Sequence, residues 1–139
     1  MRVMKADMGH IYYVHKNYVD YLKDTKGDWK AAETDYLRWT PVFSNLDFFC
    51  LIGMHGRKST GQVWGFFDPK EKKVMLEGFF VKRAFRNKRK FVVPMYVALK
   101  ELLKENGIKK IECETSETIT SCLMRKKFKV SRIMVEREI

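Results

Sequence analysis

The chain has 139 residues, of which 45% are hydrophobic and 14% aromatic, so it can form one compact core and is too apolar to be a disordered tail. We expect a single domain that spans residues 1–139. The formal net charge of +11 predicts attraction to a phosphorylated cofactor, a nucleic acid or another anionic surface, although scattered lysines more often form a solvated basic face.

The first half of the chain predicts one strand, two helices and then three strands. Residues 2–6 fit a short strand, and residues 10–22 place apolar side chains at helical spacing. A second helical pattern covers residues 29–39 and should end before Pro41, because the residue that precedes a proline avoids the helical conformation. Three apolar runs then predict the strands of a meander, at residues 48–54, 62–67 and 73–81.

The second half of the chain begins with a long amphipathic helix. This helix should span about residues 90–106, with Pro94 in its first turn and Gly107 as a left-handed C-cap. The remaining pattern predicts a strand, a short helix and a last strand, at residues 108–114, 116–127 and 129–136. The resulting order, β-α-α-β-β-β-α-β-α-β, is that of an α/β (α+β) fold.

The turn between the third meander strand and the long helix carries the strongest functional signal. Six of its nine residues are basic, namely Lys82, Arg83, Arg86, Lys88, Arg89 and Lys90. The helix that follows directs its N-terminal amides toward the same turn, so the cations and the helix dipole would favour the same anion. A second basic cluster contains Arg125, Lys126, Lys127, Lys129 and Arg132. Both clusters are candidate contacts for an acidic protein or for the phosphates of a nucleic acid.

The element order resembles the fold of the GCN5-related N-acetyltransferases (GNAT) over nearly the whole chain. In that family the strand before the long helix runs into a V-x-P-x-x-R/Q-x-x-G-x-G/A segment, whose amides hold the pyrophosphate of acetyl-CoA. Val81 and Arg86 match this segment, whereas Arg83, Arg89 and Phe91 replace the proline and both glycines. The resemblance implies a mixed central sheet flanked by helices, with acetyl-CoA held at a degenerate loop by Phe79, Phe80, Val81, Arg86, Lys88, Arg89, Lys90, Phe91 and Ser116.

The departures from the family segment affect how a coenzyme would be held. Glycine lets the backbone approach phosphate oxygens closely, and side chains at Arg89 and Phe91 would obstruct that approach. The guanidinium groups of Arg86 and Arg89 could instead bind a phosphate by bidentate contacts. The sequence therefore predicts either a modified coenzyme site or a lost one.

The resemblance also implies two catalytic roles. Glu77 lies in the strand where many family members carry a carboxylate that acts as base for the attacking amine; the alternative is an outward-facing residue paired with a lysine across the sheet. The tyrosine that commonly protonates the departing thiolate falls on Leu123, and of that second signature only Phe128 matches. Tyr96 and Cys122 are the possible substitutes for that acid.

The histidines and cysteines predict neither a metal site nor a disulfide framework. The three histidines lack the spacing of metal ligands, and we expect His10 and His15 on a helix surface. The three cysteines are odd in number and form no C-x-x-C pair. No apolar run reaches the about 18 residues of a membrane span, so we expect a soluble intracellular protein, cytoplasmic or, if a phage encodes it, in the host cytoplasm or the virion.

Two functions fit these observations. The first is an N-acyltransferase that passes an acetyl group from acetyl-CoA to an amine acceptor. The second is a catalytically inactive binding or structural module with the same fold, for example a phage accessory or virion-associated protein, which contacts a partner protein or a nucleic acid through its basic face. The missing glycines and Leu123 favour the second function, and the breadth of the resemblance favours the first.

Overall fold

A computed structural model describes the backbone at residues 1–114, 129–131 and 134–138, and the side chains through residue 112. Short 3-10 turns precede the first and third helices, at Met8–His10 and Tyr36–Arg38. The helices are α1 (Ile11–Asp24), α2 (Trp29–Glu33), α3 (Trp39–Phe43) and α4 (Arg89–Glu105). The strands are β1 (Arg2–Lys5), β2 (Phe48–His55), β3 (Lys58–Asp68), β4 (Lys73–Val81), β5 (Lys110–Glu114), β6 (Lys129–Ser131) and β7 (Met134–Glu138).

The described strands form one mixed sheet in the order β1-β2-β3-β4-β5-β7-β6. All neighbouring strands are antiparallel except β4 and β5. These two run parallel because α4 returns the chain to the end of the sheet at which β4 begins. The predicted mixed sheet flanked by helices is confirmed. The parallel pair is short: its register extends only from Lys73 opposite Lys110 to Leu76 opposite Cys113.

Helices cover both faces of the sheet, and each face has its own core. On one face the apolar stripe of α4, which includes Met95, Leu99 and Leu103, packs against alternate strand residues. On the other face α1 and α3 cover an aromatic-rich cluster that includes Trp39, Trp64 and Phe80. The alternation of strand side chains assigns Phe79 and Val81 to the α4 core and Phe80 to the α1 core.

Three element boundaries differ from the sequence-based expectation in the helical region and at the first hairpin. The predicted helix over residues 29–39 is broken into α2, a 3-10 turn and α3, and the prediction that it ends before Pro41 is wrong. Pro41 lies in the first turn of α3, where its missing N–H would have no intrahelical partner. Strand β3 begins at Lys58, earlier than expected, because only Gly56 and Arg57 form the turn after β2.

The second half of the chain brings two further corrections and one confirmation. Pro94 lies inside α4, beyond its first turn, so the expected first-turn placement is wrong. The single last strand expected over residues 129–136 is instead two short antiparallel strands, β6 and β7. Gly107 has a φ of +67°, which confirms the left-handed C-cap after α4. The predicted helix over residues 116–127 lies outside the described residues.

His15 is a buried structural residue, so its expected surface position is wrong. Its side chain is 1% exposed and stacks on Tyr36, with the ring centroids 4.0 Å apart. The indole N–H of Trp39 donates to Nδ1 of His15 at 2.9 Å, and Nε2 lies 2.9 Å from the carbonyl oxygen of Glu33. Because Nδ1 accepts, the proton of the neutral ring is on Nε2, and His15 connects α1 to both α2 and α3. His10 takes part in a capping box with Asp7 before α1.

Asn17 forms a second buried polar contact between α1 and the sheet. Its side-chain amide donates to the hydroxyl oxygen of Ser59 at 2.9 Å and to Oε1 of Gln62 at 3.3 Å, and all three side chains are buried. These bonds fix one rotation of α1 over β3, since the donors and acceptors must meet inside an apolar layer.

We expect Asn17→Ala to lower the free energy of unfolding by about 1–3 kcal/mol, because buried acceptors on Ser59 and Gln62 lose their donor. Urea denaturation measures this change. The control Lys16→Ala removes an exposed side chain one residue away and should change stability by less than about 0.5 kcal/mol. Equal effects of the two substitutions would show that the buried contact contributes nothing.

No helix among the described residues is long and apolar enough to cross a membrane.

Candidate cofactor site

Strand β4 separates from β5 halfway along its length. The pairing with β5 ends at Leu76, whereas the pairing with β3 continues to Val81. Among the described residues, no strand pairs with residues 78–81 on the side away from β3. We call this part of the strand the open edge of β4. Alternate residues of a strand edge direct N–H and C=O groups outward, so the open edge can bind an extended ligand as a further strand would bind.

A β-bulge lies at the point where the two strands separate. Trp64 pairs with Gly78 and Gly65 pairs with Leu76, so Glu77 is the extra residue of β4. A bulge bends its strand and redirects the side chain of the extra residue. The side chain of Glu77 is exposed. The backbone carbonyl oxygen of Glu77 lies 3.5 Å from the hydroxyl of Tyr21 on α1.

Aromatic side chains from α1 and β3 support the bulge from one face. The Tyr21 ring lies 5.1 Å from the Trp64 ring and 6.2 Å from the Phe80 ring. The indole of Trp64 lies directly against Gly78, where an added Cβ would overlap it. The open edge of β4 is therefore supported by packed aromatic side chains and not by a loop.

A compact turn joins the open edge to α4. The amide of Phe85 donates to the Lys82 carbonyl at 2.8 Å, and the amide of Lys88 donates to the Phe85 carbonyl at 3.2 Å. Helix α4 then starts at Arg89 with no side-chain cap and no acidic residue in its first turn. The amides of Arg89 and Lys90 have no partner within the helix, so the positive end of the helix dipole faces the turn.

Phe91 leaves this helix end open, which corrects the expectation that its side chain obstructs the backbone. Phe91 is 3% exposed, and its ring lies 4.7 Å from the Phe85 ring and 5.2 Å from the His55 ring. The ring therefore points into the protein. Of the two residues that replace the family's glycines, only Arg89 has an exposed side chain.

Asp24 binds the turn to the end of α1 through two arginines. Nη2 of Arg86 donates to one carboxylate oxygen of Asp24, and Nη2 of Arg83 lies 3.3 Å from the other. Nε of Arg86 also donates to the Val81 carbonyl at 3.0 Å. Arg86 is thus held between the strand and the helix, whereas 85% of the Arg83 side chain is exposed. We call this arrangement the Asp24 clasp.

Lys82 is a partly buried cation of the turn. Partial burial lowers the pKa of its ammonium group, the nearby Asp20 carboxylate opposes that change, and the Lys16 charge adds to it. Lys82 thus lies against α1, while Lys88, Arg89 and Lys90 are exposed.

The structure places the described sequence-predicted residues together, at the junction of β4, the turn and α4. Glu77 is at the bulge, and the other described candidates lie along the open edge, in the turn and in the first turn of α4, at Phe79, Phe80, Val81, Arg86, Lys88, Arg89, Lys90 and Phe91. Ser116, Leu123 and the side chains of the second basic cluster lie outside the described residues. Sequence reasoning missed Tyr21 and Asp24. Asp24 had a usable signal, since a carboxylate at a helix C-terminus is unfavourable without a cationic partner.

Among the described residues, a metal site is absent and a large pocket lies away from the open edge. The described side chains contain no group of histidine, cysteine and carboxylate residues that could hold a metal ion. A pocket of about 550 Å³ lies at the opposite end of the sheet, where it is lined by Lys5, Phe43, Phe48 and Leu102 among others. Leu102 is near the C-terminus of α4, so this pocket is separate from the open edge and from the turn.

We expect the Asp24 clasp to contribute measurable coupling between α1 and the turn. In a double-mutant cycle of Asp24→Asn and Arg86→Gln, the coupling free energy should be about 0.5–3 kcal/mol, because both side chains are mostly buried. The same cycle with the exposed Arg83→Gln should give less than about 1 kcal/mol. Urea denaturation of the single and double variants measures both values, and additive effects at Asp24 and Arg86 would contradict the clasp.

The comparisons with known proteins agree with this arrangement at the level of the fold. No family model matches the chain, and no curated protein matches it in sequence. Among solved structures, the PaiA N-acetyltransferase of Thermoplasma acidophilum in complex with coenzyme A has a TM-score of 0.79 and 14% identity, covering 99% of this chain and 98% of that one.

Two further structures extend the comparison. An acetyltransferase of Thermus thermophilus has a TM-score of 0.79 and 8% identity, covering 100% of this chain and 98% of the other. Tetrahymena GCN5 has a TM-score of 0.72 and 7% identity over 99% of this chain and 94% of its own. Since agreement extends over nearly the whole chain in each case, the protein has the GCN5-related N-acetyltransferase fold.

Proposed function

We propose that this protein binds acetyl-CoA and transfers its acetyl group to an amine. The observation that carries the proposal is the direct continuation of the open edge of β4, through a cationic turn, into an uncapped helix N-terminus. A ligand with an extended amide-containing arm and a diphosphate would match both parts, the arm at the strand edge and the diphosphate at the helix end.

Different residues would bind the two parts of acetyl-CoA. The amides of Arg89 and Lys90 and the exposed cations Arg83 and Lys88 would hold the phosphates, and the open edge of β4 would hold the arm. The inward position of Phe91 supports this fit, because its ring leaves the exposed residues Arg89 and Lys90 uncovered. When bound, acetyl-CoA supplies an acetyl group activated as a thioester.

Two side chains beside the open edge are suited to proton transfer. Glu77 carries an exposed carboxylate at the bulge, where it can accept the proton of an attacking amine. Tyr96 on α4 stacks on Phe79 with the ring centroids 4.6 Å apart, and its hydroxyl is buried. Tyr96 is therefore our candidate for the proton donor that Leu123 cannot provide.

Arg89 favours the second candidate function, an inactive binding module. Its exposed side chain stands where the related segment has glycine, and it could occupy the phosphate position itself. Binding of acetyl-CoA therefore decides between the two functions.

We expect isothermal titration calorimetry to detect saturable acetyl-CoA binding that persists from low to near-physiological salt, since specific docking is screened less than loose phosphate attraction. Arg89→Glu should weaken binding by about tenfold, which is about 1.4 kcal/mol, because a carboxylate at the helix N-terminus repels the phosphates. The substitution should not lower the stability of α4, since an acidic side chain in the first turn interacts favourably with the helix dipole.

The matched control is Lys100→Glu, which makes the same charge change on the exposed face of α4. It should leave the affinity within about twofold. Absence of binding by the natural protein, or heat that disappears with salt, would reject the transferase and support the binding module.

We expect Glu77→Gln to separate catalysis from coenzyme binding. The substitution keeps the size of the side chain and removes the base, so acetyl-CoA affinity should stay unchanged while transfer to an amine identified by screening slows about 100-fold or more. A thiol-release assay measures the rate. Full activity of Glu77→Gln would exclude Glu77 as the base without excluding coenzyme binding.

A further inference from the structure

We propose that the end of the molecule that carries the turn binds a single-stranded nucleic acid, over a surface that continues past the turn onto α1 and the β2–β3 hairpin. This cationic end consists of the turn residues Lys82, Arg83, Lys88, Arg89 and Lys90, and of Lys16, Arg57, Lys58 and the aromatic ring of Tyr12. The proposal does not depend on acetyl transfer.

The β2–β3 hairpin brings two cations to the first turn of α4. The ring of His55, at the end of β2, lies 5.2 Å from the ring of Phe91. Lys88 and Lys90 extend their ammonium groups over that same Phe91 ring. Arg57 and Lys58, two and three residues after His55, are exposed. The hairpin therefore continues the positive surface of the turn, although these residues are distant in sequence.

Helix α1 extends the positive surface on the other side of the hairpin. The hydroxyl of Tyr13 lies 3.4 Å from the carbonyl oxygen of Arg57, so the start of α1 contacts the hairpin turn. Lys16 is exposed one helical turn further along, and its charge acts on Lys82. The cations of α1, the hairpin and the turn are thus neighbours in space.

The cations at this end of the molecule outnumber the carboxylates on the adjoining part of α1. On the adjoining part of α1 the carboxylates are Asp20 and Asp24, and Asp24 is already bound by Arg83 and Arg86. A concentrated positive surface from separate segments attracts a chain of phosphates more strongly than it attracts a single small anion.

An exposed ring favours a nucleic acid over an acidic protein as the partner. Tyr12 is 61% exposed, and its ring makes an edge-to-face contact with the Tyr13 ring, with the centroids 5.6 Å apart. An exposed ring beside cations is a stacking platform for an unpaired base. Unpaired bases imply a single strand, and the contacts imply little sequence preference, because phosphates and ring faces occur at every nucleotide.

The test is fluorescence anisotropy with labelled oligothymidylate over a series of salt concentrations. The double variant Arg57→Glu with Lys58→Glu should lose at least about tenfold in affinity, and the slope of log K against log salt should fall by about 0.7 for each lost phosphate contact. Tyr12→Ala should lose about fivefold or more without a change in slope. The matched control, Lys70→Glu with Lys104→Glu, reverses two exposed charges away from this end and should bind like the natural protein.

Three results would overturn the proposal. Equal losses for the hairpin variant and its control would mean that only net charge matters. Polyglutamate that competes as well as unlabelled oligothymidylate, with no effect of Tyr12→Ala, would identify an acidic protein as the partner. Lack of oligothymidylate binding at near-physiological salt would exclude the surface altogether. Acetyl-CoA titration of the same hairpin variant should match the natural protein, so failure of this proposal and failure of the transferase proposal remain distinguishable.

Discussion

The divided pairing of β4 is the constraint on which the rest of this structure depends. β3 holds the strand along its whole length, whereas β5 holds only its first part, as far as Leu76. The bulge at Glu77 marks the change, and Trp64 and Tyr21 fix the strand from the α1 face. A strand that is held so firmly on one side can present the backbone of residues 78–81 on its other edge without losing its shape.

The electrostatics of the molecule follow from the same arrangement. Because β4 leads directly into the turn and α4, the basic residues that follow the strand gather around a helix N-terminus. Asp24 holds the turn mainly through the mostly buried Arg86, whereas Arg83, which also contacts Asp24, keeps an exposed side chain and stays available with Lys88 and Lys90. The hairpin and α1 then add cations that are unrelated to the turn in sequence, at Lys16, Arg57 and Lys58.

The errors of sequence reasoning have identifiable physical causes. The effect of Pro41 and Pro94 on their helices depends on the exact position of each proline in the helix, and the sequence pattern gives helix boundaries only within a few residues. His15 was expected on the surface because a polar side chain usually is, whereas Trp39 and Glu33 provide its partners from other elements. Phe91 was expected to obstruct the turn, and only the position of Phe85 and His55 reveals the pocket that receives it.

The sequence by itself determined the order of β1, α1, the three strands of the meander, α4 and β5, because hydrophobic periodicity, glycine and charge act over a few neighbouring residues. It also assigned Glu77 to a strand and the basic residues to the junction between that strand and the long helix, as the structure has them. Only the tertiary structure decided which groups meet: Asp24 with the turn, Tyr21 with the bulge, and the hairpin with α4. Such contacts join residues far apart in the chain, and their existence depends on the packing of whole elements rather than on any local pattern.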